Sequence, residues 1–339
     1  MLRRSLPAFA GLVIVVLLTL LRIGDSYPIQ VAREIGFDFY QRLHPRPVAD
    51  LPVRVIDIDE ASLSELGQWP WPRDRLATIA DRLGELGAAA IGFDILFPEP
   101  DRVRPDIFAA LYPELSPAAG TEVRRLPPMD SLWGQVIGGA PVVLGRAGVA
   151  AGGADPAQLI IDAEVKGPMP PSLPGEPGVI ANIPELEQAA LGHGLLNGRP
   201  DGDGTVRRVP TLMAIGGRPM PSLSAELARV ALDQSAIISA PGTITIGRQR
   251  IPVDAEGRML LRFGHFPPAR ISSAADVLRK GFPADAFAGQ IVLVGLAAEG
   301  TADIVATPLS AEYYGPIVQA QAVDAILRAG WLDRPGWVA

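Results

Sequence analysis

The sequence predicts an α/β protein: a mostly parallel central sheet with flanking helices and β-hairpin insertions, preceded by one N-terminal transmembrane helix. Three observations carry this expectation. Two strand patterns, "VRVIDID" (Val53–Asp59) and "AAAIGFDILF", flank a helical one, "PRDRLATIADRLGELG". That is a βαβ unit, whose strands run parallel with a right-handed crossover. A continuous apolar run, "QIVLVGL", has the composition of a strand buried on both faces. The chain opens with "MLRR" and then an uncharged stretch from Leu6 to Leu21, the length at which signal peptides and short membrane anchors overlap.

Taken in order, residues 1–24 read as an uncleaved signal anchor, because no small-x-small cleavage site follows the apolar run. A cleaved signal is the alternative. Arg3 and Arg4 favour a cytoplasmic N-terminus, which places the bulk of the chain outside the cytoplasm from about Asp25. Over residues 25–47, Val31, Ile35, Phe39 and Leu43 recur at roughly helical spacing. This juxtamembrane helix ends at "HPRPVADLP". Residues 48–330 form the extracytoplasmic domain. Its first helix starts with Pro72 at the first helical position and stops at Gly87. Leu76, Ile79, Leu83 and Leu86 make its buried stripe.

A third strand, "PVVLG", follows a short helix near Met129 to Ile137. Residues 147–179 are Gly/Pro-rich and read as a long surface excursion. "HGLLNGRPDGDGTVRRVPTLMAI" reads as two strands around a turn at Asp201 to Gly204. "PSLSAELARVALD" is a helix capped by Ser222. "TITIGRQRIPV" is a hairpin around Gly247, "RMLLRF" a strand and "SAADVLRKG" a helix. "GPIVQAQAVDAILRAG" is a closing amphipathic helix. Residues 331–339 carry Trp331 and Trp337, aromatics of the kind found at membrane interfaces. They are either the start of a further membrane segment or a C-terminal tail.

A formal charge of -7 argues against work on nucleic acid or anionic lipid, which favours basic proteins. The absence of cysteine removes disulfides, zinc–thiolate sites and cysteine nucleophiles. His44, His193 and His265 lack metal spacing. There is no Gly-x-Ser-x-Gly elbow, no Walker loop and no Gly-x-Gly-x-x-Gly after a strand. No cofactor and no catalytic residue is expected.

Ligands of open α/β sheets bind outside the C-terminal ends of the strands. Asp59 and Glu60 end the first strand, Asp94 is late in the second, and Asp303 lies in the loop after the apolar strand. Asp57, Asp59, Asp94 and Asp303 together are candidates for holding a hard cation. The alternative is that Asp59 caps the following helix while Asp94 bonds a backbone amide or Arg73. Asp201 and Asp203 stand at calcium-loop spacing, but the EF-hand glutamate is missing and turn chemistry explains them as well. "GQWPWPR" places Trp69 and Trp71 just ahead of Arg73. The two indoles are either a stacking platform for a sugar or aromatic ligand, or a cover over the end of the sheet.

These blocks, in this order, resemble the type 2 CHASE domain, a sensory module of bacterial transmembrane receptors. The resemblance runs from about Phe37 to Gly330. It rests on "VIDIDEASLSELGQWPWPR", "GAAAIGFDILFPEPD", "GHGLLNGRPDGDGTVRRVP", "PSLSAELAR", "GQIVLVGLAAEGTADIVATP" and "GPIVQAQAVDAIL". It implies an N-terminal membrane helix and a sensory domain outside the cell. Usually three more membrane helices and a cytoplasmic output follow. That output is commonly an adenylate or guanylate cyclase, sometimes a histidine, Ser/Thr kinase or diguanylate cyclase. The sequence departs from this layout after Ala339, where those parts do not appear. The resemblance implies a homodimer in the bacterial inner membrane that answers a small-molecule or protein signal, and it places Arg73 near Asp59 and Asp94. A metal-dependent periplasmic hydrolase built on the aspartates and an envelope adaptor are the competing functions.

Overall fold

The computed structural model describes residues 9, 11–16, 19, 27–48, 51–161, 163–279, 281–298, 300 and 303–333. At its centre is a sheet of seven strands: β1 (Val53–Ile58), β2 (Ala90–Phe93), β3 (Val142–Val149), β4 (Gly178–Ile180), β5 (Gly192–Leu195), β6 (Ile271–Ser273) and β7 (Ile291–Leu296). They lie in the order β6-β1-β7-β2-β3-β4, with β5 also pairing with β3. Every pairing is parallel except β3 with β4. The mostly parallel sheet is therefore as the sequence predicts. The βαβ strands β1 and β2 are parallel but not adjacent, because β7 inserts between them, with Val53 opposite Ile291 on one side and Ile291 opposite Ala90 on the other.

The insertion follows from composition. On β7, Val292 and Val294 enter one core while Ile291 and Leu293 enter the other. A strand with no polar face is stable only in the middle of a covered sheet. The first core joins Ile56 and Ile58 of β1 to α3 (Arg73–Glu85), reached through α2 (Glu60–Leu66), and to α4 (Met129–Gly138) and α5 (Pro184–Ala189). Leu76, Ile79, Leu83 and Leu86 are all buried there, as the helical stripe predicts. Each such side chain contributes roughly 1.5–3 kcal/mol on burial. Gly87 ends this stretch at φ +82°, a conformation that side chains with a Cβ avoid. The second core packs α6 (Leu223–Ala231) and α8 (Gly315–Arg328) on the opposite face, beside Val53 and Val55. The short α7 (Ala274–Leu278) follows β6.

Helix α8 is covered on its outer side too. Val318, Ala322 and Ile326 meet Ile237, Ile244 and Phe263 of an outer layer that contains the predicted hairpin, Thr243–Ile246 against Gln249–Pro252. Two expectations fail. The residues 147–179 excursion is partly strand: β3 runs on to Val149, β4 buries Val179, and Glu164–Lys166 pairs with Ala236–Ala240. The strands around Asp201 to Gly204 do not pair with each other. Gly192–Leu195 joins β3 and Arg208–Pro210 pairs with Arg258–Leu260, because each has a better-buried partner elsewhere in the chain.

The helix expected over residues 25–47 forms as α1 (Tyr27–Leu43). Its apolar stripe faces outward: Ile35, Phe39 and Leu43 are each more than half exposed, and its polar residues meet the domain instead. Among the described residues, no helix is long and apolar enough to cross a membrane. The anchor predicted over residues 1–24 falls largely on residues outside those described, as does Trp337.

Candidate functional site

A cleft of about 840 Å³ opens outside the C-terminal ends of the central strands. Its walls come from Trp69 to Arg73, from the segment after β2, and from Leu196, Leu296 and Asp303. Five of the seven residues proposed from the sequence, Trp69, Trp71, Arg73, Asp94 and Asp303, line it together.

The stiff "GQWPWPR" segment divides its work between the two indoles. Trp71 is 2% exposed and belongs to the first core, and its Nε1 donates to the Gly67 carbonyl at 2.6 Å. Trp69 is half-buried and meets Trp71 edge to face at 5.8 Å. Gly67 makes the turn possible at φ +96°. The peptide bond before Pro70 is cis. Trp71 packs in the core, as the covering reading expects, and Trp69 borders the cleft.

Pro72 is the N-cap of α3 rather than its first helical residue. Asp101 takes over the capping that proline cannot perform, accepting from the Arg73 backbone N–H at 2.7 Å. The Arg73 side chain is bonded to Asp130 and the Glu99 carbonyl rather than to Asp59 or Asp94. Its Nε lies 3.4 Å from Asp130, an NH2 donates to the Glu99 carbonyl at 3.0 Å, and the guanidinium covers Phe97 at 4.7 Å. Asp130 also accepts from the Asp101 N–H at 2.8 Å. This buried corner is closed upon itself, because a planar guanidinium needs several acceptors before burial becomes tolerable.

Asp94 and Asp303 are different. Among the described residues no side chain or backbone group donates a hydrogen bond to either carboxylate, whereas Asp94 N–H itself donates to the Val294 carbonyl. Burial first, and the Asp303 charge second, push the Asp94 carboxyl up to about 7. The Asp303 carboxylate lies over Gly315, the first residue of α8, where the helix dipole favours negative charge. Both aspartates also line a smaller pocket of about 70 Å³ beside Arg208.

The remaining candidates are placed elsewhere. Asp59 caps α2, accepting from the Ser62 N–H at 2.9 Å, the Ser62 hydroxyl at 2.6 Å and the Ser273 hydroxyl at 2.7 Å. Glu60 is exposed on the first turn of α2. Asp57 is half-buried in β1, pushed up to about 6 by burial and then by Asp59. Asp57, Asp59, Asp94 and Asp303 therefore do not gather into one cation site. No group of three or more His, Cys, Asp or Glu suited to a metal forms among the described residues. Asp201 and Asp203 spend their carboxylates on arginines: Asp203 on Arg207 at 2.7 Å, Asp201 on Arg208 at 2.6 Å.

That last cluster contains a buried contact that the sequence did not reveal. Arg207 is 2% exposed, and it grips Asp38 of α1 through two bonds of 2.8 and 2.7 Å. Glu34 of the same helix lies 3.8 Å away. The charged face of α1 is thus fastened to the "DGDGTVRR" turn. A second fastening sits at the end of α1: Gln41 donates to Leu261 and accepts from the Phe263 N–H, and Arg46 pairs with the buried Asp324 of α8. The segment that follows α1 is thus joined to α8 by this side-chain pair. Arg207 and Asp38 are 169 residues apart. The visible signal was an arginine pair next to a run of aspartates, which local turn chemistry explained equally well.

The family model of the CHASE2 domain matches residues 10–339. No curated protein and no solved structure matches the chain.

Proposed function

Because the chain belongs to the CHASE2 domain family, an extracellular sensory domain, we propose that it is the input domain of a transmembrane receptor whose output is a cytoplasmic cyclase or kinase. The observation that carries this reading is the connection between the cleft and the two terminal helices. Asp303 leads into Ile304–Val305, Ala306 bridges to Thr205 and accepts from the Val206 N–H at 2.7 Å, and the next residue, Arg207, holds α1. A ligand that favours one arrangement of this chain of contacts shifts the position of α1, which is all that transmission requires.

The outward apolar stripe of α1 supports pairing with a second copy. Its polar side is already occupied by Arg207, and an exposed row of Ile35, Phe39 and Leu43 is stable when a like helix covers it. The metal-dependent hydrolase and the adaptor gain no observation in their favour.

The chain has no cysteine, so single-cysteine variants report cleanly. Gln68→Cys, on the exposed rim of the cleft, is expected to react with a membrane-impermeant maleimide in intact cells. Phe39→Cys is expected to cross-link two copies in membranes, with a yield that changes in Arg207→Met. Labelling of Gln68→Cys only after lysis would overturn the extracytoplasmic assignment. An unchanged yield in Arg207→Met would remove Arg207 from the transmission path.

A further inference from the structure

We propose that the cleft takes an organic cation, with its ammonium group between Asp94 and Asp303 and its apolar body against Trp69, Leu196 and Leu296. This rests on the reading of the cleft as the ligand site and adds the class of ligand. The geometry leaves two neighbouring carboxylates, half-buried Asp94 and exposed Asp303, with no donor from any described residue, in the wall of an otherwise largely apolar cleft.

The charges around them are committed. Arg73 serves Asp130 and the Glu99 carbonyl. Asp101 accepts from the Arg73 and Val103 N–H groups. Arg208, which faces both aspartates from the smaller pocket, bonds Asp201 at 2.6 Å. Glu99 and Arg102 are exposed at the rim. From α8, the only charge on the pair is the partial positive end of the helix at Gly315. Asp94 is half-buried and Asp303 exposed beside it, and a half-buried carboxyl next to a like charge favours one proton or one cation between the two.

The ligand classes separate on this point. A neutral sugar stacks on an indole and leaves the repulsion in place. A hard divalent cation seeks six or more oxygen ligands, and apart from the charged residues already accounted for, the wall is indole, proline and aliphatic side chains. An alkylammonium satisfies both halves: charge against the carboxylates, and a methyl or methylene surface against the indole face, where cation–π attraction adds to affinity. The volume suits a small molecule.

Such a cation competes with the proton that Asp94 holds in the free protein. Binding is therefore about tenfold weaker one pH unit below the Asp94 pKa of about 7 than above it. The experiment is calorimetric titration of the full chain in detergent with choline, 1,4-diaminobutane, calcium chloride, magnesium chloride and glucose, on both sides of that pKa. At least one of the two ammonium compounds is expected to bind, more tightly at the higher pH and with proton release. Asp94→Asn is expected to weaken it at least tenfold and flatten the pH dependence. Trp69→Leu is expected to weaken choline binding severalfold while leaving the pH dependence in place.

Failure of both ammonium compounds to bind up to millimolar concentration overturns the inference. So does binding without pH dependence, or Asp94-dependent binding of glucose or a divalent cation in their place. Thermal melts of each variant report folding separately. The sensor reading stands or falls on the cysteine labelling and cross-linking of α1, which uses no ligand, so either conclusion can fail alone.

Discussion

Replacing Arg207 by methionine removes the clamp on α1 while keeping most of the side-chain volume. In the wild type the guanidinium is 2% exposed and faces Asp38 at 13%, Asp201 at 5% and Asp203 at 40% exposure. Asp203 regains water, and Asp201 keeps Arg208 at 2.6 Å. The damage falls on Asp38, left charged and mostly buried. Losing one partner of a buried pair costs about 3 kcal/mol, which lowers the melting temperature of a chain this size by roughly 5 °C. The sign of the pH effect is fixed as well. Donation from Arg207 holds the Asp203 carboxyl well below the usual range. Its stabilisation is thus complete above the unfolded carboxylate pKa of about 3.9 and is lost as pH falls toward the depressed value. Arg207→Met is expected to lose that acid dependence. Circular-dichroism melts across acid and neutral pH measure both effects. Adding Asp38→Leu to the variant should restore more than half of the loss, because an apolar contact then replaces the broken pair. A single-variant loss below the ~1 kcal/mol of an exposed pair, or a double variant worse than the single, would refute the clamp.

Three further outcomes follow from the same reasoning. Because the Asp94 carboxyl is raised to about 7, its contribution is present below about pH 3.9 and is lost as pH rises toward 7. Asp94→Asn should therefore stabilise the domain at alkaline pH by about 1–2 kcal/mol, discounted for water reaching a half-buried group, and urea titrations at two pH values test this. Arg73→Ala should cost about 2–3 kcal/mol in the same assay, because Asp130 would stay buried with only the Asp101 N–H as donor; no change would mean that the corner is not structural. Phe39→Glu should weaken self-association at least tenfold by analytical ultracentrifugation in detergent, with the melt unchanged, since the side chain is 61% exposed in a single copy.

What was legible in the sequence was periodic or continuous. Strand β7 announces a central position through six apolar or glycine residues in a row, and α3 announces its buried face through Leu76, Ile79 and Leu83. The cleft was legible because the residues after parallel strands converge on one edge, which brought Asp94, Asp303 and the tryptophan segment together. Asp59 was legible only as two alternatives. The capping geometry decides between them, since its carboxylate is consumed by two serines. Pairings between distant segments were not legible. Arg208–Pro210 finds Arg258–Leu260, and Arg73 finds Asp130. Such choices depend on which acceptor or strand edge is left after the sheet has assembled, and no local pattern encodes that.

The arrangement of α1 inverts what its sequence suggests for a helix of a globular domain, and this inversion bears on signalling. An amphipathic helix ordinarily buries its apolar stripe. Here the domain takes the polar side, through Glu34, Asp38 and Gln41, and leaves Ile35 and Phe39 outward. Ionic and hydrogen-bonded contacts are strict about direction, so a small shift of the "DGDGTVRR" turn changes the angle of α1 where an apolar contact would slide. In the dimer proposed above, apolar pairing between copies would tolerate that change in angle without dissociating. Under that proposal, a polar hold on the domain side and an apolar hold on the partner side suit a helix that moves relative to its own domain while staying paired. Under the same proposal Arg46 and Asp324 limit that movement, because their pairing ties the segment after α1 to α8.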